Sequence, residues 1–408
     1  MIILDKKIMA VIVVVILAVA AIGTVVALNS NSDNNDSDDV TYKDGAFNVV
    51  SRVNSEGSGL YIKSSEIEVK DGVPYRNGVP FYAVSGETYT VSESNAKAWA
   101  GLVFATPGVT SIQHTQIASL AQTMGLKFVL YTAGTSVPDN SIAYYTNLSN
   151  YSLITDSSVM SVIDAGIIWE PQYERIIQEK GDVFTSLALT NNLFPGHTCC
   201  VIIGNHNFIN DNPVATGKFL AGYTKAVDFV NSALANKNSE DYKWLVEFTA
   251  KKTTDITEKE IQDAFDTITY LYADGTDGDL SKLKTDIAQL VRDLDSLGNI
   301  TGKYSDAQTL ADSFVDDSKL KDALKTNYDS SNSGTVRVAV ITGDIHQIAV
   351  HVAIEKGYFK DLGLNVEVVQ GKNGGSIATS MQNNSADFGF IGAPPATITT
   401  INSGLISA

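Results

Sequence analysis

The chain has 408 residues, 44% apolar and 18% charged, which supplies a buried core and excludes global disorder. Acids outnumber bases 46 to 29, for a net charge of −17. This excludes the basic face that a phosphate backbone requires. Two cysteines exclude a disulfide scaffold, and five histidines leave few ligands for a metal cluster.

Lys6 and Lys7 precede an uncharged apolar run, Ile8–Leu28. Its length as a helix, ~32 Å, is about one bilayer core. Residues 1–28 therefore read as a membrane anchor or a signal segment. The two lysines mark the cytoplasmic side and place the rest of the chain on the extracellular side. Residues 29–44, rich in Asn, Ser and Asp, read as an acidic stalk.

From Phe47 onward, short β-branched runs alternate with amphipathic stretches, the pattern of an α/β sheet. Phe47–Val53, Gly59–Lys63, Leu102–Ala105, Phe128–Tyr131, Ala165–Ile168 and Cys199–Ile203 read as strands. Asp71–Pro80 reads as a hairpin turning at Asn77-Gly78. Ser111–Met124 reads as a helix, and Pro171 opens another. Residues 213–324 are mostly helical, and Asn327–Gly334 is a loop or linker. Strands resume at Val336–Ile341, Val366–Gln370 and Phe388–Ile391, each followed by a helix.

Four of these strand-to-helix junctions share one chemistry. They are Pro107-Gly108-Val109-Thr110, Thr342-Gly343-Asp344, Gly374-Gly375-Ser376 and Gly392-Ala393-Pro394-Pro395. In an open α/β sheet, ligands sit at the carboxyl ends of the strands. Helix N-termini there offer unpaired N–H groups that suit an anion. The expectation is a small-anion cleft built from these turns.

The segment VRVAVITGDIHQIAVHVAIEKGYFKDLGLNVEVVQGKNGGSIATSMQNNSADFGFIGAPPATI, Val336–Ile398, resembles the opening of nitrate/sulfonate/taurine-type ABC transporter substrate-binding proteins. That group includes the thiamine-precursor binders. The resemblance extends to Phe47–Lys63, Thr106–Phe128, Ile163–Glu174 and Phe194–Ile203. It implies a bilobal periplasmic-binding-protein-like fold of type II, with two hinge crossings, and no catalytic residues or cofactor; no metal is expected, since the only cysteines are Cys199-Cys200 and the five histidines show no helical metal pair. Family members begin with the part found here at the end of the chain. The order therefore implies a circular permutation, with a broken tandem pair as the rival. The expected organisation is lobe 1 strands in 45–63 and lobe 2 in 64–206, with a hairpin insertion at 66–96. Mainly lobe 1 helices follow in 207–327, then a linker at 328–334 and lobe 1 again in 335–408. The crossings are expected near Tyr61–Lys63 and Val201–Ile203.

Individual side chains carry the binding expectation. Asp344 is the natural N-cap of its helix, with His346 in the first turn as an oxyanion donor or a packing residue. His114 stands in the same position on its own helix. Trp169 and Glu170 end a strand before Pro171, and Trp169 is read as an apolar wall of the pocket. Ser58, Gly59, Thr110, Ser111 and Ser376 are edge residues that bind a ligand or cap helices. Cys199-Cys200 reads as buried strand. Sequons at Asn147, Asn150, Asn299 and Asn383 are candidate glycosylation sites. The expected partners are a small anionic or organic solute, an ABC permease with its ATPase, and the membrane through residues 8–28; nucleic acid is excluded. The alternatives are an enzyme on the same fold, like the fungal thiamine-pyrimidine synthases, and a non-transporting extracellular sensor.

Overall fold

A computed structural model describes residues 40–407. The apolar run 8–28 and the expected stalk through residue 39 lie outside the described residues. Among the described residues, no helix is long and apolar enough to cross a membrane.

In chain order the strands are β1 (Thr41–Tyr42), β2 (Phe47–Glu56), β3 (Ser58–Lys63), β4 (Glu68–Lys70), β5 (Val73–Arg76), β6 (Val79–Pro80), β7 (Ala83–Ser85), β8 (Thr88–Thr90), β9 (Val103–Ala105) and β10 (Lys127–Leu130). They continue as β11 (Ser141–Tyr145), β12 (Ala165–Trp169), β13 (Phe184–Leu189), β14 (Thr198–Asn205), β15 (Ile268–Tyr270), β16 (Thr335–Ile341), β17 (Asn365–Gly371), β18 (Phe388–Gly392) and β19 (Ile406–Ser407). The helices used below are α1 (Ile112–Thr123), α2 (Gln172–Glu179), α3 (Pro213–Leu234), α4 (Glu258–Phe265), α5 (Ser281–Ser296), α6 (Ile348–Glu355), α7 (Gly374–Gln382) and α8 (Ala393–Asn402).

Two six-stranded sheets organise these elements. The first runs β15-β2-β14-β18-β16-β17, and the second β10-β11-β9-β12-β3-β13. In the first sheet β14 lies antiparallel to both β2 and β18, while β16 is parallel to β18 and β17. Strand β14 is buried along its whole length, which its run Cys199–Ile203 dictates: a strand covered on both faces is apolar without alternation. Helix α5 packs against α8 and the helix at Ala307–Phe314, burying Leu283, Ile287, Val291 and Leu294 at helical spacing.

The chain passes between the sheets twice. The first passage is at Gly57, between β2 and β3; the second lies between β13 and β14. Both expected crossings are corrected: β3 belongs wholly to the second sheet and β14 wholly to the first. The reason is local. Gly57 has φ 86°, a left-handed conformation that ends the first strand before Ser58. A Cβ at Gly57 would stand 2.2 Å from His346 Nε2.

The insertion is a three-stranded β4-β5-β6 meander followed by a β7-β8 pair. Asn77-Gly78 forms its turn with both residues at positive φ, as a type I′ hairpin requires. Asp71-Gly72 makes a second such turn that the hairpin reading omits.

The expected stalk ends before Thr41, since β1 pairs antiparallel with β19, Thr41 opposite Ser407. Tyr42 stacks on His206 with ring centres 3.7 Å apart and bonds to Ser313 O. The loop at 327–334 is also tied down: Lys218, buried on α3, donates from Nζ to Ser331 O at 2.7 Å.

Candidate functional site

The carboxyl ends of β9, β12, β16 and β18 face one cavity of about 260 Å³. Turns far apart in sequence meet there: Pro107–Gln113, Asn147, Trp169, Cys199-Cys200, Ile341 with Asp344 and His346, and Asn373–Gly375 with Gly392 and Pro395. Of the expected site residues, the structure brings together Gly108, Thr110, Ser111, Trp169, Asp344, His346, Gly374 and Gly375.

The other eight do not line the cavity, and each has a physical reason. Ser58 is buried and accepts from Gln113 Nε2 at 2.9 Å; it positions a lining residue. Gly59 lies under the Tyr173 ring, 2.3 Å from where a Cβ would stand. His114 turns away to pack against Phe128 and Tyr144, with Nδ1 3.1 Å from Thr106 Oγ1. Burial lowers its pKa to about 4, so it stays neutral. Glu170 is sealed beneath the site, accepting from Thr267 Oγ1 and Glu174 N. Gly343 serves the turn at φ 73°. Ser376 spends its hydroxyl on its own helix, donating to Asn373 O and accepting from Lys372 N and Asn373 N. Ala393 and Pro394 are buried in the first turn of α8; Gly392 and Pro395 take their place in the wall.

His346 lines the cavity without the donor role expected of it. Its Nδ1 lies 2.7 Å from Asp344 Oδ1 and its Nε2 2.9 Å from Gly57 O. Burial would lower its pKa, but the Asp344 carboxylate outweighs burial and holds it at about 9. As an imidazolium it donates from both nitrogens, and both go to the protein. The ring therefore clamps the Gly57 crossing to the 344 turn.

Three helix N-termini point at the cavity, with unequal capacity. At α1, Ser111 caps through its hydroxyl, accepting from His114 N, which leaves the Ile112 and Gln113 N–H groups at the wall. At α7, Asn373 and Ser376 form a capping box, and the Gly374 and Gly375 N–H groups face the cleft without side-chain screening. At α8, Pro394 and Pro395 have no N–H to offer. No lysine or arginine is among the lining residues; the charges present are Asp344 and His346, which offset one another. Trp169, Ile112, Val109, Ile341 and Pro395 make the rest of the wall largely apolar.

Sequence reasoning missed Gln113, Asn147, Asn373 and the cysteine pair as wall residues. Asn373 is legible as the residue before a Gly-Gly helix start. Gln113 and Asn147 carry no sequence signal, since α1's twist and a left-handed Asn147 at φ 65° bring them in.

Residues 345–405 match the family model described as NMT1/THI5 like. A comparison with curated proteins finds no match. Two solved structures are similar over part of the fold. One is a ligand-binding component of an ABC-type import system from Staphylococcus aureus with zinc bound, at 13% identity and TM-score 0.43, covering 68% of this chain and 74% of that one. The other is the periplasmic nitrate-binding protein NrtA from Synechocystis PCC 6803, at 11% identity and TM-score 0.45, covering 68% and 66%.

Proposed function

We propose that this chain, whose residues 345–405 carry the NMT1/THI5-like pattern, is an extracellular solute-binding protein that delivers a small molecule to an ABC import permease. The observation carrying this is the convergence of four sequence-distant turns on one cavity between two sheets joined by two crossings. Closure of the sheets about Gly57 would desolvate the guest and commit it for delivery. The wall favours a solute with an electronegative group toward the N–H groups of α1 and α7 and an apolar body against Trp169. A strongly hydrated anion is disfavoured, because no formal positive charge is free to replace its water.

The test is a thermal-shift panel on the full chain, with nitrate, sulfonates, bicarbonate and pyrimidines. One class should raise the melting temperature, and Trp169→Ala should abolish that rise without lowering the unliganded melting temperature. If no solute moves the wild-type transition, the reading fails. Catalysed loss of a solute would favour the enzyme alternative.

We also infer that the chain is circularly permuted. Strands β16 and β18 join the same sheet as β2 and β14, and the two ends of the body pair directly through β1 and β19. Both features support a joined old junction and a new opening elsewhere.

A further inference from the structure

Strand β14 sends two consecutive thiols into the cleft wall. In a regular strand, neighbouring side chains point to opposite faces. Against β2, however, the ladder steps from Thr198↔Ser55 to Cys200↔Asn54 to Val201↔Arg52, irregular on both sides of Cys200. Such bulges re-aim side chains. The two sulfurs lie 3.7 Å apart, both thiols are free and buried, and both residues line the cavity. Asn54, opposite Cys200 in the ladder, leaves its Oδ1 buried without a partner.

We propose that Cys199 and Cys200 form a two-thiolate site for a soft monovalent cation of the Cu(I) or Ag(I) type. Thiolate sulfur selects soft ions. Among the described residues, no group of three or more His, Cys, Asp or Glu could hold a metal, so the closed four-ligand shell of zinc lacks its ligands. Both His346 nitrogens are already engaged, which leaves two sulfurs and an ion content with two.

Ligand count sets the valence: the wall offers two sulfurs, which suit a soft monovalent ion, whereas zinc takes four ligands. Each sulfur binds as a thiolate, so when the cation binds the Cys199 and Cys200 S–H bonds break, their protons leave to solvent and two metal–sulfur bonds form. No electron is transferred.

The test uses the reduced full chain under anaerobic conditions, titrated with Ag(I), with Cu(I) against a chromophoric chelator, and with Zn(II). The expected result is one Ag(I) or Cu(I) per chain, protons released on binding, and no comparable Zn(II) binding. Cys199→Ser and Cys200→Ser should each weaken Ag(I) binding by more than about tenfold. Unchanged affinity in either variant, no uptake by the wild type, or equal zinc affinity would overturn the assignment. Should a serine variant lose its cooperative melt, X-ray absorption of the Ag(I)-loaded wild type decides: two sulfur neighbours support the site, and nitrogen or oxygen neighbours sink it.

Discussion

His346 and Glu170 flank the first crossing from opposite sheets. Gly57 O accepts from His346 Nε2 and from Glu170 N. Burial raises the Glu170 carboxyl to about 8, so at neutral pH it is mostly protonated. Both pKa values are above their unfolded ones, so both groups stabilise at low pH and lose that contribution as pH rises. For Glu170 the loss runs from about 4.5 to about 8. For His346 it runs from 6.5 to about 9. His114, His197 and His351, each lowered to about 4 by burial, act oppositely and lose stability as pH falls below 6.5. The melting temperature should therefore peak in mildly acidic solution. Glu170→Gln, which keeps an acceptor for Thr267, should flatten the alkaline limb and stabilise by on the order of 2 kcal/mol at pH 8. A chemical-denaturation series from pH 5 to 9 checks both; an unchanged alkaline limb in the variant would show that Glu170 is not the group responsible. Asp344 and His346 were legible as a helix cap and its first turn. The bond from His346 to Gly57 O was not, because the two residues are 289 positions apart.

At the scale of elements, strand identity was legible and strand membership was not. Apolar runs marked β2, β14, β16 and β18, but nothing in Ser51–Lys63 says that the sheet changes at Gly57. That information lies in a backbone angle and in what the residue touches. Gly57→Ala should cost on the order of 3 kcal/mol, because it adds a clash with His346 to an unfavourable φ. Gly72→Ala, with φ 78° and nothing within 4 Å, isolates the backbone part and should cost about 1–2 kcal/mol. Urea melts of the two variants give the difference; equal costs would mean that the His346 contact yields without penalty. Helix N-termini were legible from their glycines and caps, and α1 and α7 arrive at the cavity as those signals imply. The prolines of α8 were visible too, yet their consequence, an N-terminus almost without donors, needed the helix start fixed at Ala393. The bulges in β14 had no sequence signal, since a bulge is a property of two strands in register.

For the whole molecule, the order of pieces and the closeness of the ends make one mechanical statement. The body begins at β1 and finishes at β19, paired side by side, while the 327–334 loop lies on the surface, held by Lys218 at Ser331 and by Gly363 packed against Ser330 and Ser331. If this loop is the old junction, opening it should cost little beyond these contacts, because the helix before it, Ser318–Lys325, stays packed on α3 and β16 after it stays in the first sheet. A chain reconnected by a short Gly/Ser linker across β19 and β1, and opened at 332–333, should fold to the same two sheets. It should bind the same solute as the natural order, and its melting temperature should fall by only a few degrees, since the lost contacts amount to about 1–2 kcal/mol. An equivalent opening between β16 and β17 should not fold, because it would cut a parallel pair that spans seven registered residues and depends on its crossover. Circular dichroism and the solute-induced thermal shift read both outcomes. Failure of the first chain, with soluble expression of the second, would mean that the 327–334 loop is an integral part of the fold.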